Sequence, residues 1–332
     1  MRAIIMTAPG GPEQLKLEEI STPEISSPSE ILIEIHAAGV NPVDTKLRAN
    51  GVYFPEVGRH VLGCDGAGIV KEVGDSCTRF QPGDEVYYFN AGLGGTTGNY
   101  TEMAVVDERY VARKPNNLGF AEAAAAPLAL ITAWESLFDR GTLYEGDEVL
   151  IHGGAGGVGH LAIQLASNIG ARVCTTVGSE EKAEFVKLLG ADHTILYRKD
   201  DFVDATLRWS GGDGVNMVFD TVGGETFSNS LRTIRNYGEI VTLLQVPADA
   251  DWKSARNRNL RISQELMLTP LVSGLHEMRI HQTEILENCC ELFEAGKLQI
   301  HLSHQLPLEQ AAEAHRLIEN GSTTGKIVLT IQ

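Results

Sequence analysis

The chain has 332 residues, 43% of them hydrophobic and 21% charged, with a formal net charge of −17. That length exceeds what one hydrophobic core usually serves, so two domains are expected. The acidic balance disfavours nucleic acid or an anionic membrane as main partner, no apolar run is long enough to cross a bilayer, and the start "MRAIIMTAPGG" turns charged too soon for a secretory signal.

The first hundred residues hold short β-like runs broken by Gly, Pro and Asp: "EILIEIHAAGV", "GAGIVKEVG", "GDEVYYFN" and "YTEMAVV". This pattern predicts an antiparallel, barrel-like domain. "FAEAAAAPLALITAWESLFDRG" predicts a helix, a break at Pro127 and a second helix. From Gly146 the rhythm becomes strand–helix alternation, running "DEVLIHG", "VGHLAIQLASNIG", "ARVCTTVG", "SEEKAEFVKLLG", "DHTILY", "FVDATLRWSG", "VNMVFDTVG" and on to "GEIVTLL". That is the signature of a doubly wound parallel sheet. Past about residue 270 the alternation stops, leaving an amphipathic helix, "EILENCCELFEAGKL", and a final strand, "GKIVLTI". The expected fold class is α/β, with residues 127–268 inserted as a nucleotide-binding domain into a mostly β domain built from 1–126 and 269–332. Five cysteines (Cys64, Cys77, Cys174, Cys289, Cys290), odd in number and without CxxC spacing, suit a reducing cytoplasm.

Residues 154–159, Gly154-Ala155-Gly156-Gly157-Val158-Gly159, form a G-x-G-x-x-G that follows a predicted strand and opens a helix. Gly154 permits the tight turn, Gly156 lets backbone amides reach a pyrophosphate, and Gly159 allows close strand–helix contact. No Lys-Ser/Thr follows, which disfavours a nucleoside-triphosphate loop. The next strand ends Val177-Gly178-Ser179 without the carboxylate that bonds an NAD ribose. Ser179, Lys182, Tyr197 and Arg198 can instead surround a 2′-phosphate, so the expected cofactor is NADP.

Taken together, "AAGVNPVDTKLR", "GCDGAGIVKEVGD", "FQPGDEVY", "AAAAPLALITAWESL", "VLIHGGAGGVGHLAIQLA", "LGADHTILY" and "STTGKIVLTI" resemble the medium-chain dehydrogenase/reductase superfamily over nearly the whole chain. Within it the chain is similar to the zinc-independent quinone oxidoreductase (ζ-crystallin-like) branch. The resemblance implies a GroES-like catalytic domain around a Rossmann domain, a homodimer, and a nicotinamide cofactor acting on a small-molecule quinone or enone.

The same resemblance implies site residues. Zinc-dependent relatives carry a Cys where this chain has Asn41 and a His-Glu pair where it has Cys64-Asp65; their third ligand falls near Pro127 and Leu128. No zinc is therefore expected. Without a metal the substrate must already be electrophilic, and the protein must stabilise the oxyanion formed as hydride arrives. Asn41 and Tyr53 match the positions that offer hydrogen bonds there, and Thr132 is expected near the nicotinamide. Asp44 is expected to order the Asn41 turn. Lys46 replaces a common aromatic residue, and its ammonium either binds a carboxylate, stabilises an enolate or simply stands exposed. Asp220, Gly223 and Leu243 fall where the family's backbone lies beside the cofactor. The loops "ANGVYFPEVGRHV" and "NAGLGGTTGN" are expected to shape the substrate pocket. The competing expectations are a zinc-type alcohol or aldehyde dehydrogenase and a non-catalytic NADPH-binding protein of the crystallin kind.

Overall fold

The computed structural model describes residues 1–55, 59–95 and 97–331. It resolves into two units, residues 1–128 with 268–332 and residues 129–267.

The first unit opens with strands β1 (Arg2–Met6), β2 (Leu15–Glu19), β3 (Glu30–Val40), β4 (His60–Val61), β5 (Asp65–Val73), β6 (Glu85–Phe89), β7 (Met103–Asp107) and β8 (Ala112–Arg113). β1 joins β2 and β4 in a small antiparallel sheet. The hub of the larger sheet is β3, whose Ile31, Ile33 and Ile35 are fully buried. It pairs antiparallel with β5 and β7, and the β5 register slips twice, between Leu32 and Ile33 and between Ile35 and Ala37. Such bulges bend and twist a strand, which lets one sheet curl around its own core. Gly68 fits this curl because a Cβ there would lie 2.0 Å from the Glu34 carbonyl. Helix α1 (Pro42–Asn50) starts with Pro42 at its first position, where a missing N–H costs nothing. α2 (Phe120–Ala125) is followed by α3 (Pro127–Trp134), so the helix does break at Pro127.

The second unit is the doubly wound sheet. Strands β9 (Glu148–Ile151), β10 (Arg172–Val177), β11 (His193–Leu196), β12 (Val215–Asp220), β13 (Ile234–Thr242) and β14 (Arg261–Gln264) lie in the order β11-β10-β9-β12-β13-β14, all parallel. Helices α4 (Gly159–Asn168), α5 (Glu180–Leu188), α6 (Phe202–Trp209), α7 (Glu225–Ser230) and α8 (Trp252–Asn257) connect them. Val149, Leu150, Ile151, Val218 and Phe219 are wholly buried, as expected for strands covered on both faces. The connections reverse direction between β9 and β12, and a crevice at such a switch point is where nucleotides bind in this architecture. Two features escape the sequence pattern: β14 ("RISQ") has no apolar run, and β13 begins at Ile234, before a left-handed Tyr237 (φ 62°).

The chain then returns to the first unit through α9 (Thr269–Val272), α10 (His276–Glu294), β15 (Leu302–Pro307), α11 (Ala311–Glu319) and β16 (Lys326–Thr330). β16 lies antiparallel to β3, with Ile327 opposite Val40. The completed sheet has seven strands in the order β15-β16-β3-β5-β6-β8, with β7 also on β3. The expected antiparallel pattern fails at one place: β15 and β16 run parallel, because α11 between them makes a crossover rather than a hairpin. The two units are thus a GroES-like β domain and a Rossmann-like parallel sheet. No helix among the described residues is long and apolar enough to cross a membrane.

Candidate functional site

In the second unit the chain leaves β9 at Ile151 and turns through Gly153–Val158 into α4. Each glycine of the motif has a distinct reason. A Cβ on Gly154 would sit 2.0 Å from Thr175 Oγ1, and one on Gly159 would sit 2.3 Å from the Gly153 carbonyl. Both positions are closed to any side chain. A Cβ on Gly156 would meet only the Gly153 carbonyl, at a close 3.2 Å that a small shift of the turn would relieve. The Gly154 amide is held by Thr176 O (3.1 Å) and the Gly156 amide by Gly153 O (2.9 Å). Ala155 is buried, whereas Gly157 and Val158 are half-buried. Among the described residues no backbone acceptor holds the amides of Gly157, Val158 and Gly159. A bare turn with unclaimed amides at a helix start is a site for a phosphate group.

A cavity of about 400 Å³ opens beside this turn, lined by His152, Gly153, Thr176, Tyr197, Phe202, Val222, Glu225, Thr226 and Asn229. Its walls come from the carboxyl ends of β9, β10 and β12, on both sides of the switch point. His152 escaped the sequence reading, though a histidine closing the apolar run "VLIHGG" was a visible signal. Its Nδ1 lies 3.1 Å from Thr176 Oγ1 and its Nε2 2.9 Å from Ser230 Oγ. Ser230 donates to the Thr226 carbonyl at 2.6 Å, so it accepts from His152 Nε2–H, and Nδ1 accepts from Thr176. Burial, opposed by Asp220, holds the imidazole neutral, with its pKa down to about 4.

The remaining cofactor candidates sort into two groups. Tyr197 is half exposed, and its hydroxyl would lie 2.9 Å from a Cβ on Gly178, so the phenol rests on that glycine's bare face. Ser179 caps α5 by accepting from the Lys182 amide at 3.3 Å, which leaves its hydroxyl hydrogen available. Ser179, Lys182 and Tyr197 therefore gather at the ends of β10 and β11. Asp220 ends β12 with its carboxylate committed within the protein. It is wholly buried, Oδ1 accepts from the Val222 and Gly223 amides (both 2.9 Å), and Oδ2 accepts from Thr242 Oγ1 (2.8 Å). Its carboxylate shapes the turn. Gly223, at φ 76°, packs against Leu244, and the Leu243 amide donates to the Asp220 carbonyl at 3.1 Å.

In the first unit, Asn41 anchors a buried cluster. Its Nδ2 donates to Asp65 Oδ2 at 2.8 Å, and its Oδ1 accepts from the ammonium of Lys326. Lys326 Nζ is also 3.9 Å from Asp65 Oδ2. The Asn41 amide N–H donates to Asp44 Oδ2 (2.8 Å), as does the Tyr100 hydroxyl (3.0 Å). The Cys64 thiol faces Asp44 Oδ1 at 3.7 Å, and His315 Nε2 lies 3.3 Å from the Tyr100 hydroxyl. All are buried. Burial, reinforced by the neighbouring Asp65, pushes the Asp44 carboxyl up to about 7; burial raises Asp65 to about 6 despite Lys326. Burial likewise raises the Cys64 thiol and lowers Lys326, and it takes His315, beside Arg48, down to about 3. Asn41 is thus a polarised amide within a charged core, not a freely rotating donor. Lys326, unnoticed in "GKIVLTI", stood out in principle as a lone charge opening an apolar strand.

Tyr53 is 48% exposed, its amide donating to the Leu93 carbonyl at 2.9 Å. Thr132 is buried in α3 of the second unit. Lys46 is exposed on α1, whose neighbours Thr45 and Leu47 are buried. Parts of the two expected substrate loops, residues 56–58 and 96, lie outside the described residues. Among those described, no three His, Cys, Asp or Glu side chains gather as a metal site.

With this geometry in place, comparison is informative. Residues 27–116 match the alcohol dehydrogenase GroES-like domain family, and residues 189–329 match the zinc-binding dehydrogenase family. The quinone oxidoreductase of Mus musculus is 31% identical over 336 residues, covering 100% of this chain and 98% of the relative. A crystal structure of an NAD-dependent alcohol dehydrogenase superposes with a TM-score of 0.90 at 33% identity, each chain covered to 100%. The Escherichia coli quinone oxidoreductase complexed with NADPH superposes with a TM-score of 0.87 at 28% identity, again over 100% of both chains.

Proposed function

The chain belongs to the quinone oxidoreductase branch of the medium-chain dehydrogenase/reductase superfamily, and from that premise we propose that it is an NADPH-dependent reductase passing hydride to a quinone or an α,β-unsaturated carbonyl without a metal ion. That it is an NAD(P)-dependent oxidoreductase follows from the family; the acceptor, the phosphate preference and the absence of metal are the proposal.

One observation carries it: the Lys326 ammonium bonded to Asn41, at the position where zinc relatives place a cysteine. A cation that only donates already occupies this corner of the cluster. The thiol of Cys64 is pushed toward its protonated form, unlike a ligating thiolate. Such a donor set does not fit a catalytic zinc.

The bound nicotinamide supplies hydride. The glycine turn holds the pyrophosphate on its unclaimed amides, while Ser179, Lys182, Tyr197 and Arg198 take a 2′-phosphate; the β10 tip Val177-Gly178 carries no carboxylate to repel it. Lys326 draws electron density from the Asn41 carbonyl, which makes the Asn41 amide hydrogens stronger donors. Asp65 fixes the orientation of that amide. Asn41 and the Tyr53 phenol then stabilise the negative oxygen that forms on the acceptor. Asp44 holds the turn that presents Asn41, and Thr132 positions the nicotinamide.

The test follows NADPH and NADH oxidation against 9,10-phenanthrenequinone, 1,4-benzoquinone, an enone and an aldehyde, with and without chelator. Chelator-insensitive turnover of NADPH on quinone or enone is expected. Turnover confined to the aldehyde and abolished by chelator overturns the proposal in favour of a zinc-type dehydrogenase, and tight NADPH binding without turnover overturns it in favour of a non-catalytic role.

A further inference from the structure

We propose that Arg279, on α10, is a positioning residue for the acceptor: through Asn90 it fixes the strained loop of residues 90–95, and that loop sets the place of Tyr53. The inference rests on the reading of the Tyr53 phenol as a hydrogen-bond donor to the acceptor oxygen, and it adds the group that holds that phenol's backbone in place.

The loop is wound against one of its own residues. Ala91, Gly92, Gly94 and Gly95 take φ angles of 61°, 76°, 87° and 77°. The glycines adopt this left-handed region freely, but the side chain of Ala91 resists it, and such a residue persists only where its surroundings impose the angle. Ala91 is buried. A Cβ on Gly92 would lie 2.5 Å from the Gly63 carbonyl, and one on Gly94 would lie 2.6 Å from the Phe54 carbonyl. The loop therefore presses on the backbone just before Cys64 and Asp65 and on the segment that carries Tyr53. Its Leu93 carbonyl accepts from the amides of Tyr53 at 2.9 Å and of Phe54 at 3.3 Å. The backbone of Tyr53 hangs on Leu93.

Asn90, where the loop begins, is gripped three times. Its N–H donates to the Cys64 carbonyl at 2.8 Å, its carbonyl accepts from Asn99 Nδ2 at 3.0 Å, and its side-chain oxygen accepts from the Arg279 guanidinium at 2.5 Å. A guanidinium only donates, so it also decides which end of the carboxamide faces it. Arg279 is itself held: its guanidinium carbon stands 3.5 Å from the centre of the Tyr110 ring. The hydroxyl of that buried tyrosine lies 2.5 Å from Nδ1 of His276, one turn earlier on α10. Two side chains of the helix thus clamp one ring. Docking the helix on Tyr110 uses the flat face of the guanidinium, whereas the bond to Asn90 uses its edge. Without that edge the Asn90 side chain turns free, Ala91 relaxes toward negative φ, and Leu93 carries Tyr53 away from its place. A shift of about 1 Å in a catalytic donor is costly to the chemical step.

The experiment is steady-state kinetics of the full chain with NADPH and 9,10-phenanthrenequinone, alongside a direct titration of NADPH affinity. Arg279→Met is expected to lower kcat about tenfold while the Kd for NADPH stays within about twofold, since the glycine turn belongs to the other unit. Arg279→Lys, which keeps a donor, is expected to recover part of the loss. Asn90→Ala removes the acceptor of the bond without touching α10 and is expected to match Arg279→Met. In a Tyr53→Phe background, Arg279→Met is expected to cost less than about twofold more, because the group it positions is already gone. An undiminished loss in that background overturns the inference, for Arg279 then acts by docking its helix and not through Tyr53. Full activity of Asn90→Ala also overturns it, and decides the matter if Arg279→Met fails to fold. A Tyr53→Phe chain as active as the wild type, or a wild type inert on quinone and enone, overturns the acceptor reading beneath and the inference with it.

Discussion

The ammonium of Lys326 donates to the amide oxygen of Asn41, 285 residues earlier in the chain, and stands 3.9 Å from the carboxylate of Asp65. One buried cation thus faces two buried carboxyls, Asp44 and Asp65. Removing it strands both. At pH 8, Lys326→Met is expected to cost about 3–5 kcal/mol of stability, read from denaturant unfolding, and Lys326→Met combined with Asp65→Asn is expected to recover part of the loss. A single variant as stable as the wild type sinks this account of the cluster.

Asp44 makes stability depend on pH with a definite sign. Its carboxyl is raised from the ordinary 3.8 to about 7, so the folded state holds the proton more tightly than the unfolded one. Its favourable contribution is whole below about pH 4 and is lost as pH climbs to 7. Asp44→Asn does not titrate. The melting temperature of the variant minus that of the wild type is therefore expected to rise between pH 5 and 8, whatever the offset. A flat difference contradicts the raised carboxyl.

His152 carries the opposite sign. Its imidazole is lowered from 6.5 to about 4, so the unfolded chain takes up a proton first, and stability is lost as pH falls through that window. In melting scans from pH 7 to 4.5, His152→Gln is expected to lose less stability than the wild type. Parallel curves rule the effect out.

Gly156 and Gly159 separate cradle from scaffold. An alanine at 159 forces its Cβ to 2.3 Å from the Gly153 carbonyl, so Gly159→Ala is expected to lower both the melting temperature and NADPH affinity. At 156 the nearest atom is 3.2 Å away. Gly156→Ala is expected to leave the melting temperature within about 2 °C while weakening NADPH at least about tenfold by intruding on the phosphate. Equal effects of the two substitutions on melting argue against this division.

The proposed preference for NADPH over NADH rests on Lys182 and its neighbours. Lys182→Ala is expected to shift the ratio of kcat/KM toward NADH by about tenfold or more, the worth of one charge-assisted hydrogen bond. An unchanged ratio moves phosphate recognition elsewhere.

What could be read from the chain alone was local. The glycine turn, the strand–helix alternation and the break at Pro127 each sit within a window of twenty residues, where backbone sterics and hydrophobic period decide. The partner of Asn41 could not be read this way, because β16 meets β3 only through the finished sheet. Asp220 was expected beside the cofactor because the family's backbone lies there; the commitment of its carboxylate to the Val222 and Gly223 amides is a turn device that the letters Asp-Thr-Val-Gly leave undecided. β14 went unseen because its exposed polar face gives no alternation for a pattern to detect.

The place of β16 has a consequence for biosynthesis. The strand follows every other strand along the chain, yet it lies inside the sheet, between β15 and β3. Until it emerges, the stretch Ala37–Val40 of β3 lacks its second neighbour, and Asn41, Asp44 and Asp65 have no cation among them. All the residues of the parallel sheet, ending at Gln264, precede it from the exit tunnel. The nascent chain therefore has the whole parallel sheet and its glycine turn before it has the group that completes the Asn41 cluster. A premature stop before Lys326 removes that group along with a central strand, and leaves the parallel-sheet unit attached to an open sheet edge prone to pair with another chain.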